Sequence, residues 1–272
     1  MSVFRSPRPP HISARFAFAM LAVLSFTGAR PAQAQLAIDR GEMFLEPSGD
    51  ATKRAGVLLV RNTSSERLQG QVTLEDWDRS ADGANRFHKY KTLPHSCGDA
   101  LRAFPMTLNL APGEAQPVRI EYTGSDLASE CTSLVVVEEA RASAAKSTGV
   151  TVTMRMGLKV YVTPATAAPG GDVSDFVVTP AAAPGDSVRV SVAFRNEGAR
   201  HLQAEGHVEV RGEDNTLHAT VPLPKVYALA GATMRTRAAL PVLSPGKYIL
   251  LAIFDFGGAD LAAAQLEYEV KR

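Results

Sequence analysis

The sequence predicts an all-β protein made of two consecutive antiparallel β-sandwiches. From Leu36 onward, short runs rich in Val, Ile, Leu and aromatic residues follow one another, separated by turn signals such as the Ala-Pro-Gly at 111–113. Strands this short and this regularly spaced are typical of sandwiches, and no convincing amphipathic helix interrupts them. The composition, 45% hydrophobic and 21% charged, is that of a globular chain.

A leader precedes the first strand. Three arginines and no acidic residue come before the apolar run from Phe16 to Phe26, and Ala32-x-Ala34 supplies the small residues of a cleavage site. This order indicates a secretory signal peptide over residues 1–34. Because the run is too short to span a bilayer, we expect an exported protein without membrane insertion.

The charge balance argues against nucleic acid as a partner. The leader holds four arginines and no acidic residue, so its removal takes the formal net charge from +1 to −3. A nucleic-acid-binding chain would need a basic face for the phosphates.

The chain has only two cysteines, Cys97 and Cys131. Export leads to an oxidising compartment, so we expect them to form a structural disulfide rather than two buried free thiols. No C-x-x-C spacing suggests a redox function.

The β pattern occurs twice. "VLLVRNTSSERLQGQVTLED" and "VSVAFRNEGARHLQAEGHVEV" share a strand ending in Arg-Asn (Arg61-Asn62 and Arg195-Asn196), a polar turn, a Leu, a Gly and a second strand. Between them "ATAAPGGD" at 165–172 has the composition of a linker. We therefore expect two immunoglobulin-like domains, at 35–164 and 173–272.

No constellation for catalysis or metal binding emerges from the sequence. There is no G-x-S-x-G, no H-E-x-x-H and no glycine-rich phosphate loop. His201 and His207 lack ligand spacing. The acidic stretch "EDWDRSADGAN" departs from the residue order of a calcium-binding loop, and a hairpin turn at Asp82-Gly83 accounts for these residues without a metal ion. We expect no enzyme, no cofactor and no metal.

The run "GVTVTMRMGLKVYVTP" at 149–164 is unusually long for a strand. Every second residue from Val150 to Val162 is apolar, and an extended chain of this length spans roughly 43 Å. Two interpretations of this strand remain open. The run is the last strand of the first sandwich with all its apolar residues in that core, or part of it is an exposed edge offered to another chain by strand addition.

Four stretches in this order resemble the N-terminal domain of the PapD-like periplasmic chaperones of the chaperone-usher pathway, over residues 36–164. They are "VLLVRNTSS", "VTLEDWDRSADG", "FPMTLNLAPGEAQPVRIEY" and "MRMGLKVYVTP". The resemblance implies that the closing strand completes a pilus or coat subunit that lacks its own last strand. The residues matching the family's donor positions are Val150, Val152, Met154 and Met156.

The resemblance also implies an anchor for the carboxyl terminus of the bound subunit. Lys159 matches the family's lysine on the closing strand. The position aligned with the family's arginine on the first strand is Glu42, and Arg40, two residues earlier on the same face, is the residue that could substitute for it.

The sequence thus predicts a non-enzymatic periplasmic chaperone. Its implied partners are a protein subunit of a fimbria or secreted coat and an outer-membrane usher. The alternative is a periplasmic or surface structural or adhesion module of tandem immunoglobulin-like domains.

Overall fold

The computed structural model describes residues 36–140, 153–180 and 186–271, which belong to one compact unit. It confirms the expected fold class of two tandem immunoglobulin-like β-sandwiches. Helix is confined, within these ranges, to a single 3₁₀ turn at Gly98–Ala100. None of the described helical segments has the length and apolarity needed to cross a bilayer.

The described residues of the first sandwich form ten strands. They are β1 (Leu36–Ile38), β2 (Glu42–Leu45), β3 (Ala55–Asn62), β4 (Leu68–Arg79), β5 (Asn85–Lys89), β6 (Leu101–Phe104), β7 (Thr107–Leu110), β8 (Ala115–Tyr122), β9 (Cys131–Glu139) and β10 (Arg155–Val162). One sheet has the order β1-β3-β8-β6. The other has the order β2-β10-β9-β4-β5, with β7 also paired to β4.

In the second sandwich, seven strands occur within the described ranges. They are β11 (Gly171–Thr179), β12 (Arg189–Asn196), β13 (Leu202–Gly212), β14 (Leu217–Ala228), β15 (Thr233–Ala239), β16 (Gly246–Asp255) and β17 (Ala262–Val270). Its sheets have the orders β11-β12-β15 and β14-β13-β16-β17.

Each sandwich has its own apolar core, formed by alternate residues of facing strands. In β8, for example, Val118, Ile120 and Tyr122 are buried in the first core. In β12, Val190 and Val192 are buried in the second core. This is the expected consequence of the period-2 pattern when two sheets pack face to face.

The Arg-Asn pair that occurs in both halves of the sequence corresponds to the same hydrogen-bond pattern in both sandwiches. The Nδ2 group of Asn62, at the end of β3, donates to the carbonyls of residues 66, 110 and 111, and its Oδ1 accepts the backbone N–H of Ser64. Asn196, at the end of β12, makes the equivalent bonds to residues 200, 228, 229 and 198. Both asparagines are completely buried. In each sandwich, an asparagine side chain therefore satisfies the enclosed backbone groups at one end of the strands.

Two further sequence predictions are confirmed. Cys97 and Cys131 form a disulfide, with their Cα atoms 5.0 Å apart. β4 and β5 form an antiparallel hairpin whose turn includes Asp82-Gly83, and Gly83 has a φ of +90°, a backbone conformation that glycine adopts without strain.

The two sandwiches are joined through the carboxylate of Glu130, which precedes β9 and whose side chain is 1% exposed. It accepts hydrogen bonds from the Thr163 hydroxyl (2.6 Å) and from the His201 backbone N–H (3.0 Å). The His201 Nδ1 atom lies 2.6 Å from the same carboxylate. One buried side chain therefore ties the first sandwich, the connection after β10 and the second sandwich together.

Two other contacts strengthen this joint. A Cβ added to Gly198 would lie 2.4 Å from the backbone nitrogen of Gly170, so the linker and the β12–β13 loop pack backbone against backbone. At the tip of the β4–β5 hairpin, Asp82 pairs with Arg237 of β15 at 3.0 Å. The second sandwich is thus held at two separate places.

Replacing Asn62 or Asn196 with alanine should lower the free energy of unfolding by about 2–4 kcal/mol, because several enclosed backbone groups lose their partner at once. Urea denaturation measures the loss. Asn109→Ala is the matched control, since Asn109 is exposed and accepts one bond from Arg67. Similar small effects in all three variants would contradict the assigned role.

Replacing Glu130 with alanine should lower the free energy of unfolding by about 2–3 kcal/mol, because charge-assisted hydrogen bonds to a buried carboxylate are lost. It should also speed proteolytic cleavage within residues 163–170. Glu197→Ala, which removes an exposed partner of Arg195, is the control. Unchanged stability together with unchanged cleavage would show that Glu130 does not hold the joint.

Candidate functional site

One edge of β10 is only partly paired. β10 pairs with β9 along its whole length, but its pairing with β2 covers Lys159 to Val162 alone. The Lys159 N–H donates to the carbonyl of Gly41 on the β2 side, at 3.0 Å. Because backbone groups alternate in direction along a strand, Arg155 and Gly157 present their N–H and C=O groups to the same side. No described strand pairs with them there.

The apolar residues of β10 divide along its length. Leu158, Val160 and Val162 are fully buried in the first core, so this half of the strand completes its own sandwich. Met154 and Met156 are half-buried and pack against the same core.

Two of the four expected donor residues, Val150 and Val152, lie outside the described residues. The other two are Met154, just before β10, and Met156, within it; both lie in the stretch that β2 does not cover. Their half-buried state is compatible with both interpretations of the long strand, as a strand wholly in its own core or as a partly exposed edge, since they contact that core without being enclosed by it.

The opposite face of β10 lines a groove on the sheet. Its volume is about 220 Å³, and its lining includes Phe87, Leu134, Val136 and Gly157. A Cβ on Gly157 would lie 3.0 Å from a methyl carbon of Leu134, so the glycine keeps the groove open. Arg155, at the end of the groove, forms an ion pair with Glu75.

Lys159 lies at the inner end of this face. Its side chain is 17% exposed, and its Nζ lies 3.8 Å from the Glu42 carboxylate and 4.8 Å from the centre of the Trp77 ring. Burial lowers the pKa of Lys159, the positive charge of Arg79 lowers it further, and Glu42 opposes both. The lysine is therefore a partly desolvated cation next to one carboxylate.

The structure does not bring Arg40 together with Lys159. The Arg40 guanidinium pairs with the neighbouring Asp39 at 2.9 Å, and the two side chains are 49% and 31% exposed. Glu42 is the residue directly opposite Lys159 in the parallel pairing of β2 with β10. The role expected of Arg40 stays a prediction, and its geometry gives it no support.

A cleft between the sandwiches lies next to Lys159. A cavity of about 110 Å³ is lined by residues of both sandwiches, among them Glu42, Trp77, Arg79, Tyr161, His201 and Tyr227. The Tyr161 ring lies 4.3 Å from the His201 ring and 5.8 Å from the Trp77 ring. Burial raises the pKa of Tyr161, and its hydroxyl, which is protonated at neutral pH as in any tyrosine, is able to donate a hydrogen bond.

Sequence reasoning did not identify Arg79 as a cleft residue. The signal was available in part: Arg79 follows Trp77 by two residues, so both side chains lie on the same face of β4. Its proximity to Lys159 and Tyr227, however, depends on strand order and on the second sandwich.

The acidic residues considered for calcium have structural partners instead. Asp76 is fully buried and accepts bonds from the backbone of residues 92 and 93 and from the Ser96 hydroxyl. Asp78 pairs with Arg86 and His88. No cluster of metal-ligating side chains occurs among the described residues.

Neither a model of a known protein family nor a curated protein matches this chain. Solved structures similar to it include a chain of a chaperone–tip adhesin complex of CFA/I fimbriae (10% identity, 88% of this chain and 100% of that chain covered, TM-score 0.49). A second is the class 5 fimbriae chaperone CfaA (11% identity, 87% of this chain and 100% of that chain covered, TM-score 0.47). A third is a chain of the CsuC–CsuE chaperone–tip adhesion subunit pre-assembly complex of Acinetobacter baumannii (12% identity, 85% of this chain and 98% of that chain covered, TM-score 0.46).

Proposed function

We propose that this protein is an exported, divergent chaperone of the chaperone-usher type, which binds incomplete fimbrial or coat subunits by strand addition at the open edge of β10. The observation that carries the proposal is that, among the described residues, no strand pairs with β10 on the β2 side from Arg155 to Leu158. An incoming subunit strand would extend the sheet there through backbone hydrogen bonds, which tolerate many sequences.

The contrast with other edge strands supports this choice of edge. β5 carries Arg86, His88 and Lys89, and β14 carries Pro222 and Pro224. Charges and prolines of this kind discourage unwanted strand pairing. The open segment of β10 has one charge, on Arg155, and a glycine, so it is weakly protected by comparison.

The proposed donor side chains are Val150, Val152, Met154 and Met156. Fully burying a side chain of this size contributes about 1.5–3 kcal/mol before ordering costs. The contribution of the two methionines is smaller, because they already contact their own core. Methionine suits a partner pocket of variable shape, since its side chain is unbranched and flexible.

Lys159 is the proposed anchor for the carboxyl terminus of the subunit. A carboxylate that enters the cleft would bind a lysine that is already partly desolvated in the folded protein, so binding need not remove all of its water. The attraction is stronger there than at an exposed site, because the local dielectric is lower.

Periplasmic location and release to an outer-membrane usher are parts of the same proposal. The leader predicted over residues 1–34 supports export. The disulfide between Cys97 and Cys131 is consistent with an oxidising compartment.

Met154→Arg should sharply reduce recovery of a complex with a subunit that lacks its last strand, because a buried charge in the subunit groove would have no partner. The measurement is co-purification from periplasmic extracts, with the subunit chosen from genes flanking that of the chaperone. We expect at least a roughly tenfold loss of complex, in line with the loss of one buried apolar contact.

Thr153→Arg is the matched control, since it adds the same charge one residue earlier, on the opposite face of the strand. It should leave most of the complex intact, and both variants should unfold at nearly the wild-type temperature. Failure of the wild type to retain any such subunit would overturn the chaperone proposal and favour the structural or adhesion module.

A further inference from the structure

Arg79 occupies an unusual position at the end of β4. It is half-buried, and its guanidinium carbon lies 5.4 Å from the ring centre of Tyr227, in the second sandwich. Within the described parts of the chain it forms no ion pair with a carboxylate. A guanidinium that has lost part of its hydration without gaining a carboxylate can bind an anionic ligand favourably.

The charges around Arg79 do not balance. Lys159 and Arg79 are close enough for the charge of Arg79 to lower the pKa of Lys159. Glu42, 3.8 Å from Lys159, is the acidic residue among those lining the cavity. Arg79 in the cavity lining and Lys159 next to it therefore outnumber the single lining carboxylate of Glu42. The nearby carboxylate of Glu130 is already bonded to Thr163 and His201.

A second, independent observation points to a ligand with hydrogen-bond acceptors. Trp77 lines the same cavity, with its ring centre 4.8 Å from the Lys159 Nζ, and its side chain is fully buried. Its Nε1–H has no hydrogen-bond partner among the described residues. Buried donors are nearly always satisfied in native structures, and an acceptor bound at this cavity, from a ligand or from water, would satisfy this one.

We propose that Arg79 is the second cation of the anchor and, with Lys159, binds the terminal carboxylate of the subunit in place of Arg40. This inference rests on the proposed function. The planar guanidinium supplies paired donors that suit both oxygens of a carboxylate, whereas the ammonium of Lys159 acts as a point charge.

The proposal also assigns a role to the second sandwich. Tyr227 lies on β14 opposite Gln203 of β13, and this pairing fixes where its ring stands. The ring faces the Arg79 cation at a distance suited to a cation–π contact, which limits the positions available to the guanidinium. Tyr227 is therefore a positioning residue, and recognition of the carboxylate requires both sandwiches.

The test compares two forms of one synthetic peptide, which carries the C-terminal strand of a fimbrial subunit and ends in a free carboxylate or in an amide. Trp77 is the only tryptophan of the chain, so its fluorescence reports binding in the cleft. The wild type should bind the acid form at least about tenfold more tightly than the amide, as charge-assisted hydrogen bonds imply.

Arg79→Gln should reduce this acid-to-amide preference to less than about threefold, with affinity for the amide form little changed. Tyr227→Leu should weaken the preference while retaining some of it. A merely structural role for either residue would change affinity for both peptide forms alike. Equal unfolding midpoints for the variants and the wild type would exclude general loss of structure.

Arg40→Gln is the matched control, and it should keep the full preference of the wild type. Loss of the preference in Arg40→Gln and its retention in Arg79→Gln would overturn the assignment. A wild type that does not discriminate between the forms, or whose Trp77 signal responds to neither, would also overturn it. The Met154→Arg experiment tests strand addition separately, so the two failures can be told apart.

Discussion

The pairing of β10 with β9 is the constraint on which the rest of the structure depends. It is continuous from Arg155 to Val162, and because side chains alternate along a strand, its register decides which residues face the core. It places Leu158 and Val160 in the first core and turns Lys159 toward the cleft. A slip of one residue would bury the lysine among aliphatic side chains and leave those leucine and valine side chains in the cleft.

The same strand is paired unequally on its two sides. β2 is only four residues long and covers the inner half of β10, which leaves the outer half with backbone groups that no described strand satisfies. Such an edge favours association with other strands. The inner half is therefore a stable element of its own sandwich, while the outer half is, under the proposed function, the part that pairs with the subunit.

The joint between the sandwiches gives the cleft a defined shape. Glu130 binds Thr163 and His201, and His201 in turn packs against Tyr161. Since the walls of the cleft come from both sandwiches, any change in their relative orientation would alter the distance between Tyr227 and the residues of β4. Under the proposed function, domain orientation and recognition of the subunit terminus are linked by this geometry.

The sequence by itself determined the features that depend on neighbouring residues. The strands follow from period-2 patterns, the hairpin at Asp82-Gly83 from turn chemistry, and the repeated asparagine from the echo between the halves. The disulfide followed from having two cysteines and a leader.

The tertiary structure alone decided that Glu42 rather than Arg40 lies against Lys159, that Arg79 enters the cleft, and that Glu130 meets a histidine 71 residues away. These contacts depend on strand order, on register and on the packing of two sandwiches. Local periodicity specifies the face on which a side chain lies and carries no information about which distant residue stands opposite.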